Sequence, residues 1–439
     1  MREIEINLTL KFKIPESDFN VNGLFFGLKK SSSQIMLTIS KILFTAIEKD
    51  SIQELLSSDL KGRYSLNGRQ RARTLKTSFG DFRYRFAQLR DNQLNQTVVP
   101  LREKLKIPRY KRYLNEMMEP AIGLSVHLSY GRSAREIGRI LDQTCSRWTV
   151  WRRLQDFSDQ CCQFGDLKKI PYIFLMPDGT KAHLQSPGGK DIGQKELRWA
   201  LASTNIGEPF DFVGIWIGQS WEEIVSDLKK RMDYEKIQVL ISDGGPGMES
   251  FLTEGMRQQR CIVHGKRDFP YILYQDGFKK KEQLQFLNRL NSIPSMSVSK
   301  KYLETLTEND KAKVQKICER TETDFKELIG MLDPDKYPKA RVYIQNLSNT
   351  VSTFFKWWLQ TNDWMPFTTN IIENRFSQVK NRIKRIGRRW TEQGLLKWLK
   401  VAIKKLFTPD NWNDLWSQFL DLNRPIILTN IKSDYLWIT

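Results

Sequence analysis

Histidine is nearly missing from this chain. There are three in 439 residues, His127, His183 and His264, which leaves no His-rich metal tract. Cysteine is also sparse. Five stand at irregular positions, 145, 161, 162, 261 and 318, an odd number that excludes a simple disulfide framework and reads as reduced intracellular thiols. No apolar run is long enough to span a bilayer. The opening stretch "MREIEINLTLKFKIP" alternates charged and apolar residues, without the continuous apolar segment of a secretory signal. Repeats and low-complexity tracts are absent. Acid is in deficit: 50 Asp and Glu face 70 Lys and Arg, a formal net charge of +20. Such a charge asks for a polyanionic partner, nucleic acid first. No clean basic amphipathic helix stands at a terminus, which argues against a membrane surface. The expected location is the cytoplasm, at the nucleoid of a prokaryote, or the nucleus of a eukaryote. The length suggests about three domains, and 40% hydrophobic residues supply cores for them.

Residues 2–14 alternate as a strand, and helical periodicity runs from about Ser33 to Leu60 through Ile35, Ile39, Ile42, Leu43, Ala46 and Ile47. The stretch "RQRARTLKTSFGDFRYRFAQLRD" reads as a hairpin around Phe79-Gly80-Asp81, with arginines along a ribbon that either face solvent or touch a DNA backbone. In "YGRSAREIGRILDQTCSRWTVWRRLQDF", Ser133 is placed to cap a helix carrying Ile137, Ile140 and Leu141. Ser146 is placed to cap a second helix, to about Phe157, with Arg147, Arg152 and Arg153. Two short helices with a basic second one fit a helix-turn-helix that enters a major groove. An ordinary helical hairpin is the other reading.

From Pro171 the texture becomes strand, strand, strand, helix, strand. The strands are "YIFLM" (172–176), "LRWALAST" (197–204), "FDFVGIWIG" (210–218) and "IQVLIS" (237–242), with a helix from Trp221 to about Met232. A helix from about Met248 to Met256 then leads to a short strand "RCIVH". Residues 279–360 are charged and helical, and another helix starts near Asn370. Two strands are expected to end in Asp-Gly, at Asp178 in "LMPDGT" and at Asp243 in "LISDGG". Side by side at a sheet edge, two bare carboxylates repel and one stays protonated. A divalent cation removes the conflict, and hard oxygen ligands suit Mg²⁺. The glycines would leave room for metal and substrate. A lone Asp-Gly is more often a plain turn. A third acid is available in "WMPFTTNIIENRFSQVKNRIKRIGRRW", where Thr369 or Asn370 can cap a helix with Glu373 near its first turn. Seven bases follow: Arg375, Lys380, Arg382, Lys384, Arg385, Arg388 and Arg389. They are candidate phosphate contacts, and the acid taken alone is equally a surface residue paired with one of them.

These blocks resemble Mutator-type transposases, which include many bacterial and archaeal insertion-sequence enzymes. "ISDGGPGMESF" followed by "QRCIVHGKRDF" is similar to the family signature, with Cys261 and His264 as its Cys-x-x-His, and "TTN-x-x-E" matches Thr368 to Glu373. Asp178 in "MPDGT" matches the first acid, and the resemblance covers roughly residues 116–405. It implies an α/β protein with a ribonuclease-H-like catalytic core and a helical insertion. A mixed α/β N-terminal region and a helix-turn-helix precede that core. The expected boundaries are 1–115 for the N-terminal region, 116–165 for the helix-turn-helix, 166–278 and 361–405 for the core, 279–360 for the insertion and 406–439 for a tail.

The resemblance also implies an Asp178, Asp243 and Glu373 triad holding two Mg²⁺ ions, with Mn²⁺ as a substitute, and His264 beside the chemistry. The partners would be double-stranded DNA, both transposon ends and target, and a second copy in a homodimer or higher oligomer. Cys261 and His264 could alternatively be half a zinc site, although no second half stands at a plausible spacing, or simply a satisfied buried pair. Trp358, beside Trp357, is expected either to stack on a flipped base or to pack in a core, alongside Phe354 and Phe355. With Arg147, Arg152, Arg153, Arg375, Lys380, Arg382, Lys384 and Arg385 it makes the candidate DNA-binding set. The rival functions are a transposase-derived DNA-binding protein that no longer cuts, and a nuclease acting on RNA–DNA hybrids, which a helix-turn-helix disfavours.

Overall fold

The computed structural model describes residues 4–13, 20–57, 62–141, 143–185, 192–205, 209–386 and 390–422. The chain divides into two compact units, Met1–Cys161 with Pro409–Thr439, and Cys162–Thr408.

In the first unit the periodic stretch forms one long helix, α1 (Val21–Ser57). Leu37, Phe44 and Ile47 of α1 pack on a core of Leu75, Phe82, Tyr84, Phe86, Val99, Leu101 and Ile107. Residues 4–13, expected as part of a strand, form none, because alternation without a neighbouring strand leaves the backbone groups unpaired. Five strands follow: β1 (Tyr64–Arg69), β2 (Arg73–Thr77), β3 (Gly80–Tyr84), β4 (Ala87–Asp91) and β5 (Gln96–Val98). β2 and β3 make the expected hairpin, with Thr77 opposite Gly80. β1, β4 and β5 make a separate antiparallel sheet. Buried Glu48 accepts from the Tyr84 hydroxyl (3.1 Å) and the Ala87 N–H (2.7 Å) and pairs with Arg69 (2.9 Å), so one arginine of this region serves the fold.

Helices α2 (Pro100–Lys104), α3 (Glu119–Ser125), α4 (Tyr130–Leu141) and α5 (Arg147–Cys161) complete the unit. Ser133 does not cap α4. It lies inside the helix and donates to the Ser129 carbonyl, while the Ser129 hydroxyl takes the Arg132 N–H at 3.3 Å. Ser146 caps α5 as expected, accepting from the Thr149 N–H at 3.1 Å. Val150, Leu154 and Phe157 form the buried face of α5. Phe157 meets Trp412, Trp416 and Phe419 of a closing helix, Trp412–Phe419, edge to face.

The second unit is built on a mixed five-stranded sheet, order β10-β9-β6-β7-β8. β6 (Phe174–Gln185), β7 (Ile192–Ser203) and β8 (Asp211–Ile217) form an antiparallel meander, and β9 (Val239–Ser242) and β10 (Arg257–Arg260) extend it in parallel. All four residues of β9 are buried, as a central strand covered on both faces requires. One face is covered by α6 (Trp221–Arg231), whose Ile224, Val225 and Leu228 pack on Leu175, Ala200, Ala202, Val213 and Leu240. Its start is fixed by a Ser220–Glu223 capping box. Where a helix to Met256 was expected there is one 3-10 turn, Met248–Phe251.

After β10 come α7 (Ile262–Gln275) and six further helices: α8 (Lys280–Ser292), α9 (Pro294–Ser297), α10 (Lys300–Leu303), α11 (Lys311–Gly330), α12 (Pro338–Thr350) and α13 (Thr353–Thr361). α14 (Asn370–Asn381) passes through a π turn, Arg382–Ile386, and α15 (Glu392–Phe407) follows. On the second sheet face, Trp199 meets Phe376 of α14 and Phe212 meets Phe407 of α15. Among the described residues no helix is long and apolar enough to cross a membrane.

Candidate active site

Asp178 does not end a strand. β6 runs straight through it, with Asp178 opposite Trp199 and Gly179 opposite Arg198 of β7. An Asp-Gly pair favours a turn locally, but the ladder to β7 satisfies the backbone groups and keeps the strand extended. What stops here is the other neighbour. β9 pairs with β6 in parallel, Phe174 with Val239 and Leu175 with Leu240, and it ends at Ser242. Asp243 therefore follows directly on the end of β9, and its charge is felt at Asp178 on the strand that continues. The Gly179 N–H donates to Asp178 Oδ1 at 2.7 Å, and the Gly245 N–H donates to Asp243 Oδ1 at 2.9 Å.

Gly244 serves a purpose the sequence does not show. Its φ is +76°, and a Cβ there would stand 2.4 Å from Arg260 Nε. That nitrogen donates to the Asp243 carbonyl at 3.2 Å, and the guanidinium lies 4.4 Å over the Tyr343 ring. The glycine therefore makes room for an arginine that braces the loop, where open space for metal or substrate was expected.

Glu373 lies in the first turn of α14. Thr369 occupies the cap position but gives the helix no side-chain cap bond. Its hydroxyl donates to Glu373 Oε1 at 2.8 Å and lies 3.2 Å from His264 Nδ1. Cys261 and His264 were expected on a strand, and Cys261 is instead the cap residue of α7 with His264 in its first turn. The Thr369 N–H donates to Cys261 Sγ at 3.3 Å, and His264 Nδ1 is 3.6 Å from Glu373 Oε1. Two helix starts are thus tied together under the third carboxylate.

The charges register one another. Burial pushes the Asp178 carboxyl up to about 6, and the charges of Asp243 and Glu373 push it the same way. Hydrogen bonding to Cys261 raises His264, against burial and with help from Glu373. Burial alone would raise the Cys261 thiol, yet hydrogen bonds from His264 and Thr369 bring it below its ordinary value. No three His, Cys, Asp or Glu side chains among the described residues stand close enough to cage an ion unaided. Mg²⁺ does not need such a cage, because it keeps waters and takes one or two carboxylates plus substrate phosphate oxygens. Asp178, Asp243 and Glu373 are hard oxygen donors, and the charge that the other two place on Asp178 is one that a divalent cation would relieve.

The basic candidates divide by exposure. Arg147 and Arg152 are exposed on α5 and Lys380 is exposed on α14. Lys384 reaches Thr180 Oγ1 at 3.4 Å, two residues along β6 from Asp178. The other described side chains of the set are turned inward. Arg153 is buried, bonded to Asp156 at 2.9 Å and to the Tyr113 carbonyl at 3.3 Å. Arg375 donates to the Phe210 carbonyl and lies over Phe212 and Phe407. Arg382 is 4% exposed and sits over Trp390 (4.7 Å) and Trp398 (5.6 Å). Trp358, 1% exposed, stacks on Trp364 at 5.3 Å. It fills a core and offers no free face to a base. The side chain of Arg385, and all of Arg388 and Arg389, lie outside the described residues. The residues that sequence reasoning missed are Arg260, and Thr369 as more than a helix cap. For Thr369 the paired threonines before the helix were the available signal.

A search of curated proteins finds no match. A family model described as transposase, Mutator family, matches residues 27–353. That span contains Asp178, Asp243, Cys261 and His264 and stops short of Glu373. Since it takes in well over half of the 439 residues, the chain belongs to the Mutator family of transposases.

Proposed function

We propose that this transposase cuts and rejoins DNA on a ribonuclease-H-like core, with Asp178, Asp243 and Glu373 as its acidic triad and two Mg²⁺ ions as cofactor, Mn²⁺ substituting. One observation carries the reading. β9 pairs with β6 in parallel and ends one residue before Asp243, and the charges of Asp243 and of Glu373 on α14 both reach Asp178. The strand order, an antiparallel meander extended by two parallel strands, supports the ribonuclease-H-like core. The paired helices α4 and α5, with Arg147 and Arg152 exposed, support a helix-turn-helix that grips transposon ends. Joining two ends calls for at least two copies of the chain.

Cleavage and strand transfer are in-line displacements at phosphorus. Water is the first nucleophile and the freed 3′-hydroxyl the second. Bound at Asp178, Asp243 and Glu373, the ions would activate the attacking oxygen and stabilise the leaving one. The chain's own groups hold the acids in place. The Gly179 and Gly245 N–H groups each hold one carboxylate oxygen, Oδ1 of Asp178 and Oδ1 of Asp243. Arg260 braces the backbone of Asp243. His264, raised toward its cationic form, steadies Glu373. Lys384, next to Thr180, offers positive charge to a phosphate near Asp178.

The test is cleavage of DNA carrying the element's own ends. The Asp243→Asn variant should lose Mg²⁺-dependent cleavage by on the order of 10³-fold or more, with end binding retained. Unchanged cleavage overturns the triad. An unmodified protein that binds ends and cuts none is instead a DNA-binding derivative of a transposase.

A further inference from the structure

The hydroxyl of Thr369 sits among three groups, and its chemistry limits how it serves them. Thr369 is 2% exposed, while Glu373, which it holds, is partly open to solvent. A hydroxyl has one proton to give and lone pairs to receive. Its oxygen lies 2.8 Å from Glu373 Oε1, an acceptor only, and 3.2 Å from His264 Nδ1. If the proton goes to Glu373, the contact with His264 is a hydrogen bond only when Nδ1 carries a proton. The hydroxyl thereby occupies one oxygen of Glu373 and ties it to His264, whose ring is also held by Cys261. The backbone N–H of Thr369 adds a third tie, to Cys261 Sγ at 3.3 Å. With Cys261 and His264 both turned to Thr369, the Cys-x-x-His pair has an occupation that needs no zinc.

We infer that Thr369 is a positioning residue for the strand-transfer reaction. Its hydroxyl bridges His264 and Glu373 and pins Glu373 Oε1. The inference deepens the triad proposed above and rests on it for the effect on cleavage, although the bridge itself stands on geometry alone.

The experiment compares Thr369→Val, which keeps the shape and the backbone N–H but loses the hydroxyl, with Thr369→Ser, which keeps the hydroxyl. Two readouts are taken. The first is cleavage of end DNA against Mg²⁺ concentration. The second is the ¹⁵N signature of His264 in the metal-free protein with labelled histidine, assigned by the loss of its signals in His264→Gln. Valine should lower cleavage by about 10–100-fold and raise the Mg²⁺ requirement, with end binding and melting temperature unchanged, while serine stays within a few-fold of the parent. The Nδ1-protonated signature should persist in serine and shift in valine.

Valine that cuts like the parent overturns the inference, as does equal loss in both variants. If valine does not fold, serine still decides: a folded serine variant with lost cleavage overturns the positioning role, and one with parental cleavage supports it. If the unmodified protein cuts no DNA, the triad proposal fails by itself, and the histidine signature still decides whether the bridge exists.

Discussion

Asp178 carries the plainest electrostatic conflict in the molecule. Burial raises its carboxyl to about 6, and Asp243 and Glu373 add to the effect. A carboxyl that holds its proton more tightly in the folded than in the unfolded chain contributes stability that is complete below the ordinary value of 3.8 and is lost as pH rises through about 6. At pH 7.5 the folded protein therefore bears an ionised, crowded Asp178. Asp178→Asn should raise the unfolding free energy by on the order of 2 kcal/mol at pH 7.5, and by progressively less as pH falls toward 4, in metal-free buffer. Chemical denaturation across that range checks the trend. A constant difference at every pH would show that Asp178 is not the strained group. Millimolar Mg²⁺ should stabilise the parent more than the variant, since the ion and the lost carboxylate answer the same repulsion. The presence of an acid at 178 was legible from sequence. That one of two neighbouring acids would hold its proton was legible too; that it is Asp178, and that burial leads the effect, was not, because both depend on the folded surroundings.

At the scale of elements, apolar content and turn chemistry located most strands and helices to within a few residues. β9, α6, the β2–β3 hairpin and α14 all lie where pattern placed them. The misreadings share a cause. Residues 4–13 had alternation but no strand partner among the described residues, and Asp178-Gly179 had turn chemistry but a full partner in β7. Pairing decides between strand and turn, and one sequence does not display pairing. The same reasoning separates the basic residues. Spacing cannot distinguish a surface base such as Lys380 from Arg382, whose guanidinium is sealed over Trp390 and Trp398 where α14 passes through a π turn. Arg382→Ala should lower the unfolding free energy by roughly 1–3 kcal/mol through lost cation–aromatic packing. Denaturant unfolding measures it. A change of less than about 0.5 kcal/mol, the range of ordinary surface substitutions, would return Arg382 to the surface.

Across the whole molecule the excess of base over acid remains the broadest statement about function. A formal charge of +20 on a transposase predicts DNA binding that weakens steeply with salt. Exposed Arg152 on α5 should contribute one phosphate contact. Arg152→Ala should weaken binding across DNA sequences and reduce the slope of log affinity against log salt by about one, with stability unchanged. An unaltered slope in a salt titration would take Arg152 off the DNA. Sequence alone determined the excess of positive charge, the alternation of strand and helix, and three acids in order beside a Cys-x-x-His, since composition, periodicity and motif spacing are local or additive properties of the chain. Tertiary structure alone decided that β6 runs through Asp178 while β9 stops just before Asp243, that Gly244 yields its space to Arg260, that Thr369 joins His264 to Glu373, and that Trp358 and Arg382 face inward. Those are contacts between residues far apart in sequence, and their energies exist only once the sheet and the helices upon it have closed.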